Sequence, residues 1–218
     1  MTDPSGLSSQ STVTVKVVDT TLPFLACPAS LTAVANANCQ AAIPDLLGKL
    51  NISDNCTPAN QLTKSQNPAA GALAGLGAHP ITVTVADAAG NASTCAVAFD
   101  VVDSAPPALR SLAVNPDRIL HSNRHMVPVV VTVSASDNCD PAPVSRIIAI
   151  TSSDPPTGPR DNTSPDWQIT GPLTADVRAE RSAHGGHRIY TITVQCSDAS
   201  GNKSIGNVTV VVAKSAKR

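Results

Sequence analysis

Valine and isoleucine alternate with small polar residues in short runs along most of this chain. Val13, Val15 and Val17 share one face of such a run, and so do Ile81, Val83 and Val85, and Val97, Phe99 and Val101. The pattern returns at Val129, Val131 and Val133, at Tyr190, Ile192 and Val194, and at Val208, Val210 and Val212. A period of two puts every second side chain on one face of an extended backbone, so each run predicts a half-buried β-strand. No window sustains a helical period, and Asp-x-x-Gly-Asn and proline-rich segments punctuate the runs. The expectation is an all-β protein of tandem immunoglobulin-like antiparallel β-sandwiches arranged end to end.

The punctuation repeats. Asp87-Ala88-Ala89-Gly90-Asn91 returns as Asp198-Ala199-Ser200-Gly201-Asn202, and Asp3-Pro4-Ser5-Gly6 is a third, partial copy. Glycine and asparagine tolerate positive φ, so each copy reads as a tight hairpin turn between two strands. Independently, Ser53-Asp54-Asn55-Cys56 reappears as Ser136-Asp137-Asn138-Cys139, an offset of 83 residues (136 − 53). Two markers thus agree on one repeating unit. Residues 1–18 read as the last turn and strand of a preceding copy, residues 19–103 as one sandwich, and residues 104–218 as a longer one. The extra length of the second lies around 151–186, and the sequence is expected to come from a longer array.

Composition narrows the class. Charged residues make up 14% of the chain and the net charge is −1, which gives no electrostatic pull toward nucleic acid or an anionic membrane. No apolar run approaches the ~20 residues that cross a bilayer, and the first residues lack the features of a signal peptide, so a secretion signal is expected outside this sequence. Aromatic residues are only 2%, with one Trp and one Tyr, so the cores must be built from Val, Ile, Leu and Ala. Such cores bury less apolar area per residue, and cross-links would compensate. Six Cys in spacings that fit neither a zinc nor a redox CxxC pattern read as a disulfide framework, which implies an extracellular, cell-surface or secreted location.

The sequence resembles the hyalin repeat, an immunoglobulin-like sandwich of extracellular adhesive and matrix proteins. The residues that carry this are Asp19-Thr20-Thr21-Leu22-Pro23, Cys27-Pro28, Ser53-Asp54-Asn55-Cys56, Ala86-Asp87-Ala88-Ala89-Gly90-Asn91 and the strand from Cys95 to Val102, in that order. The approach to Ile81 departs from the family, with Gly75-Leu76-Gly77-Ala78-His79-Pro80 where such repeats often carry an aromatic residue. Residues 103–213 look like a related, longer module of bacterial secreted and surface proteins, through Ser136-Asp137-Asn138-Cys139-Asp140, Pro165-Asp166-Trp167 and the run from Arg188 to Val194. The hyalin resemblance implies a Cys27–Cys95 disulfide, which leaves Cys39 and Cys56 to pair. Four cysteines admit three connectivities, and spacing alone does not choose among them. In the second module Cys139 and Cys196 are the only local pair.

Candidate chemistry is sparse. His121 and His125 have the i, i+4 spacing of a helical zinc site, but Pro116 and Pro128 flank them and oppose a helix. There is no Gly-x-Ser-x-Gly nucleophile turn and no cofactor motif, so no enzymatic activity is expected. Asp19, Asp54, Asp87, Asp103, Asp137, Asp140 and Asp198 recur at the ends of the modules. Asp103, Asp137, Asp140 and Asp198 are the candidate ligands for a calcium ion at the junction that follows the first module, where Pro106 and Pro107 stiffen the linker. The competing reading is that these acids only form turn hydrogen bonds. Trp167 is a candidate platform for a sugar ring, and Arg178 and Arg181 for an anionic group. Against this, a lone Trp in so aromatic-poor a chain more often serves as core, and Arg178, Glu180 and Arg181 read more simply as a solvated strand face.

The function expected from sequence is therefore a non-catalytic structural or adhesive segment of a larger surface or secreted protein. Its partners would be neighbouring repeats of the same chain, other surface proteins or glycans. The second expectation is a glycan-binding accessory module of a secreted enzyme.

Overall fold

Alternating sequence becomes strand in this protein wherever a neighbouring strand offers its backbone groups. The computed structural model describes residues 4–6, 10–120, 123–154, 165–180 and 186–213. The chain divides into one unit of Met1–Ala33 with Ala41–Val101 and a second of Val34–Gln40 with Val102–Arg218. Both are all-β sandwiches of the immunoglobulin-like class, in tandem.

Eight strands belong to the first: β1 (Phe24–Ala26), β2 (Leu31–Val34), β3 (Ala41–Ala42), β4 (Asn51–Ser53), β5 (Thr63–Asn67), β6 (Leu73–Ala74), β7 (Gly77–Ala86) and β8 (Ala92–Val102). The main sheet runs β2-β8-β7-β5, while β1 pairs with β4 and β3 with β6. Within it, β7 and β8 form an antiparallel hairpin with Ile81 opposite Val97 and Val83 opposite Cys95. Ile81, Val83 and Val85 on β7 and Val97, Phe99 and Val101 on β8 are at most 2% exposed and form the middle of the core. Each such side chain contributes about 1.5–3 kcal/mol by leaving water.

The second unit holds β9 (Ala108–Asn115), β10 (Arg118–Ile119), β11 (Met126–Ser136), β12 (Val144–Ser152), β13 (Trp167–Gly171), β14 (Thr174–Arg178), β15 (Arg188–Ser197) and β16 (Lys203–Val212). They make two four-stranded sheets, β10-β16-β15-β12 and β13-β14-β11-β9, in which β10 alone joins its neighbour in parallel. Val129, Val131, Ala175 and Val177 from one sheet and Tyr190, Ile192, Val194, Val210 and Val212 from the other pack into one core. The extra length of this module supplies the β13–β14 hairpin, which adds to β11. The register repeats between units: Phe24 faces Ser53 and Leu25 faces Ile52 in the first, and Ala108 faces Ser136 and Leu109 faces Ala135 in the second.

Two expectations fail. Residues 10–23 form no strand, and Val13, Val15 and Val17 are 80%, 80% and 92% exposed. Alternation alone does not suffice, because a strand needs a partner for its N–H and C=O groups and a sheet opposite for its apolar face. The disulfide framework also differs. Cys27 joins Cys95, but Cys39 joins Cys139, and neither Cys39–Cys56 nor Cys139–Cys196 forms. Cys56 is exposed and unpaired, whereas Cys196 is a buried thiol. The reason for the second lies in strand alternation: Cys196 continues the inward face of Tyr190, Ile192 and Val194 on β15 and packs as an apolar residue. Cys139 instead sits in the turn after β11, where the 34–40 segment reaches it.

Candidate cation sites

Three segments of each sandwich deliver acids to one place. In the first unit β4 ends at Ser53 and β7 at Ala86, so Asp54 and Asp87 each begin the turn that follows a strand. In the second, Asp137 follows β11 and Asp198 follows β15 in the same way. Asp19 and Asp103 lie on the segments that lead into β1 and β9. Asp19, Asp54 and Asp87 form one cluster and Asp103, Asp137 and Asp198 another, each offering one carboxylate oxygen within 4.8 Å of the other two.

The same hydrogen bonds build both. Asp54 Oδ1 accepts from the backbone N–H of Cys56 (3.0 Å) and of Thr57 (2.7 Å), as Asp137 Oδ1 accepts from Cys139 (2.8 Å) and Asp140 (2.9 Å). Asp19 Oδ1 accepts from Thr21 N–H and Asp103 Oδ1 from Ala105 N–H, each at 3.0 Å. Asp87 is held by the N–H (2.8 Å) and Nδ2 (2.7 Å) of Asn91, and Asp198 by the N–H (2.8 Å) and Nδ2 (2.9 Å) of Asn202. Gly90 and Gly201, at φ +94° and +90°, close these two turns in a conformation that an L side chain rarely adopts.

Turn formation thus occupies one oxygen of Asp19, Asp54 and Asp103 and leaves the other. Oδ2 of all three is buried and has no hydrogen-bond partner. A buried acceptor without a partner is costly, and three formal negative charges at this spacing repel one another. Among the described residues no Lys or Arg forms an ion pair with either cluster: the ion pairs engage Asp166 and Glu180. Oxygen donors of this kind suit a hard divalent cation, with backbone carbonyls and water completing the six to eight ligands that calcium takes.

Electrostatics around the first cluster affect two further groups. Partial desolvation opposes ionisation of Asp87, but the hydrogen bonds from Asn91, Gly90 and Ala89 outweigh it and hold the carboxyl below its ordinary value. Beside it, desolvation and then the charges of Asp19 and Asp54 push the Cys56 thiol up.

The structure brings together three of the four ligands expected from sequence. Asp103, Asp137 and Asp198 meet, whereas Asp140 stands outside the cluster, its Oδ1 accepting from Ala142 N–H at 2.9 Å in the next turn. Sequence reasoning did not assign the first cluster as a site, although the recurrence of Asp19, Asp54 and Asp87 was its signal.

The ligand-binding candidates resolve differently. Trp167 is half-buried against the core, edge-on to Tyr190 with ring centroids 6.2 Å apart, so it is no open platform for a sugar. Arg178 is spent inside the protein. Its Nη1 donates to Arg124 O (2.8 Å), its Nε and Nη2 donate to Pro165 O, and Asp166 lies 3.9 Å away. With a side chain only 12% exposed, it is neither a solvated face nor a free anion receptor. His125 precedes β11 just after a bend at Arg124, its N–H donating to Asn123 Oδ1 at 3.1 Å, and His121 and Arg181 lie outside the described residues.

No protein-family model and no curated protein matches this sequence. Among solved structures, protocadherin gamma B2 extracellular cadherin domains 1–5 align over 99% of this chain and 44% of theirs, with 16% identity and a TM-score of 0.41. Sidekick-1 immunoglobulin domains 1–4 align over 86% and 48% at 12% identity and a TM-score of 0.41. The fibronectin(III)-like modules of Clostridium thermocellum CbhA align over 88% and 94% at 12% identity and a TM-score of 0.32. The chain spans about half the length of the first two. At these scores the likeness carries no argument, and the class rests on the strand order and pairing described above: tandem immunoglobulin-like β-sandwiches.

Proposed function

We propose that this chain is a non-catalytic structural or adhesive repeat segment of an extracellular protein, related to hyalin repeats, in which each sandwich binds one calcium ion. The observation that carries the reading is the repetition of one acidic cluster, built by the same hydrogen bonds, at corresponding turns of two sandwiches. Turn formation alone accounts for the bonded oxygens. It does not account for the buried, unpartnered Oδ2 atoms of Asp19, Asp54 and Asp103, which a cation would satisfy.

Calorimetric titration of the metal-free chain with calcium tests this. Two sites are expected, with Asp54→Asn abolishing the first and Asp137→Asn the second, and with calcium raising the melting temperature. No binding heat and an unchanged melting temperature would leave the acids as turn formers and remove the basis for a cation-supported array.

A further inference from the structure

We propose that Cys56 is the acceptor of a disulfide from another sandwich of this repeat type, donated by a cysteine on the loop between that sandwich's second and third strands. This deepens the repeat reading above and does not depend on calcium.

Cys56 and Cys139 are the same position of the repeat. Each follows Ser-Asp-Asn, and each donates its backbone N–H to the Asp two residues earlier, at 3.0 and 2.8 Å. Their fates differ. Cys139 is bonded to Cys39, and Cys56 is exposed and free.

The donor loop is locally organised. Asn36 Oδ1 accepts from Asn38 N–H (2.8 Å) and Gln40 N–H (3.2 Å), and Cys39 adopts a φ of +59°. Asn138 Nδ2 donates to Asn36 O at 3.3 Å, and Ala35 N–H donates to Val102 O at 2.9 Å, so the loop is received by more than its sulfur. The counterparts of Asn138 and Val102 beside Cys56 are Asn55 and Val18, both exposed. The residues that receive the loop, Asn138, Cys139 and Val102, thus recur in sequence as Asn55, Cys56 and Val18, without a loop to meet them.

A second observation points to the same partner. Counting back from Asp19 and Asp103, Val13, Val15 and Val17 correspond to Val97, Phe99 and Val101. The latter are 1%, 2% and 2% exposed in the core of β8, and the former 80%, 80% and 92%. A segment with the alternation of β8 but no sheet to join fits a further sandwich of the same repeat type, and such a sandwich would also carry the donor loop.

The bond forms when two thiols lose two protons and two electrons to oxidised glutathione, which becomes two molecules of glutathione. The test uses a chain in which residues 19–102 are repeated once ahead of Asp19, refolded with oxidised glutathione, mapped without reduction and alkylated without denaturation. A peptide pair joining the added copy's Cys39 to the original Cys56, with that Cys56 protected from iodoacetamide, is expected. Cys39→Ser in the added copy should restore its alkylation. An alkylatable original Cys56 in a chain whose added copy has closed its own Cys27–Cys95 bond would overturn the proposal.

If the added copy does not close that bond, the unaltered chain decides. It is mixed with a peptide of the sequence Val34–Gln40 activated at its cysteine with thionitrobenzoate. Here the Cys56 thiolate attacks the peptide sulfur and thionitrobenzoate leaves, so no oxidant is needed. Reaction several-fold faster than with a peptide carrying Ala at both Asn positions supports the proposal, and equal rates refute it. Calcium titration reads the cation proposal separately.

Discussion

Asn202 donates from Nδ2 to the main-chain carbonyl of Asp103 at 3.2 Å, and Asn91 makes the same bond to Asp19 at the same distance. One amide thereby ties the hairpin turn to the segment that enters its own sandwich, since Nδ2 also holds the Asp198 or Asp87 carboxylate. Asn202→Ala removes both bonds and leaves partly buried acceptors without a donor. The expected loss is about 1–3 kcal/mol from the second unit in urea unfolding, and Asn91→Ala should cost the first unit a similar amount. Losses below about 0.5 kcal/mol, the range of ordinary surface substitutions, would show that water replaces these bonds freely.

Tyr190 is the only tyrosine of the chain, which makes its titration readable by absorbance. Its hydroxyl donates to Arg178 O at 3.0 Å, and burial pushes the phenol up to about 12, against a partial pull downward from Arg188. A raised folded-state pKa means that the native state keeps its proton where the unfolded state has lost it. Stability from this group is therefore complete below pH 10 and falls as pH rises from about 10 toward 12. A phenolate transition centred near 10 in the folded chain would contradict the buried placement.

Arg188 has a side chain only 3% exposed, and its guanidinium donates to Asp166 Oδ2 and to Ser152 Oγ (2.9 Å). Desolvation disfavours the buried cation, and the hydrogen bond and charge of Asp166 outweigh that and push its pKa up. Asp166→Ala would remove the closest carboxylate and leave the charge to the more distant Glu180, at 3.9 Å, and to Asp154. A cost of about 3 kcal/mol or more is expected, because a buried charge that loses its partner is worse than no charge at all. Asp166→Leu combined with Arg188→Met should lose less than Asp166→Ala alone, measured by denaturant unfolding of both variants.

Much of the site was legible in the chain because turns are local. Asp-x-x-Gly-Asn predicts both hairpins, since the carboxylate, the positive-φ glycine and the asparagine amide all act within five residues. The recurrence of Asp54 and Asp137 before a cysteine likewise marked two of the acids. Asp140 stands apart from Asp103, Asp137 and Asp198 because its side chain turns toward Ala142 N–H, a matter of backbone direction in a turn that sequence does not specify.

Local order along the chain dictates an all-β, repeated, aromatic-poor protein punctuated by acidic turns, because period-two alternation and glycine-asparagine turns are properties of neighbouring residues. Burial and pairing depend instead on how the strands pack. Val13, Val15 and Val17 have the same pattern as Val97, Phe99 and Val101 and end up exposed, since burial needs an opposing sheet. Cys39 bonds Cys139 across a separation of 100 residues while nearer cysteines stay apart. Pairing of thiols depends on which loops meet in space and not on distance along the chain, and the same holds for the three carboxylates of each cluster. Separate strand ends bring them within 4.8 Å, and only then do the leftover oxygens become a site.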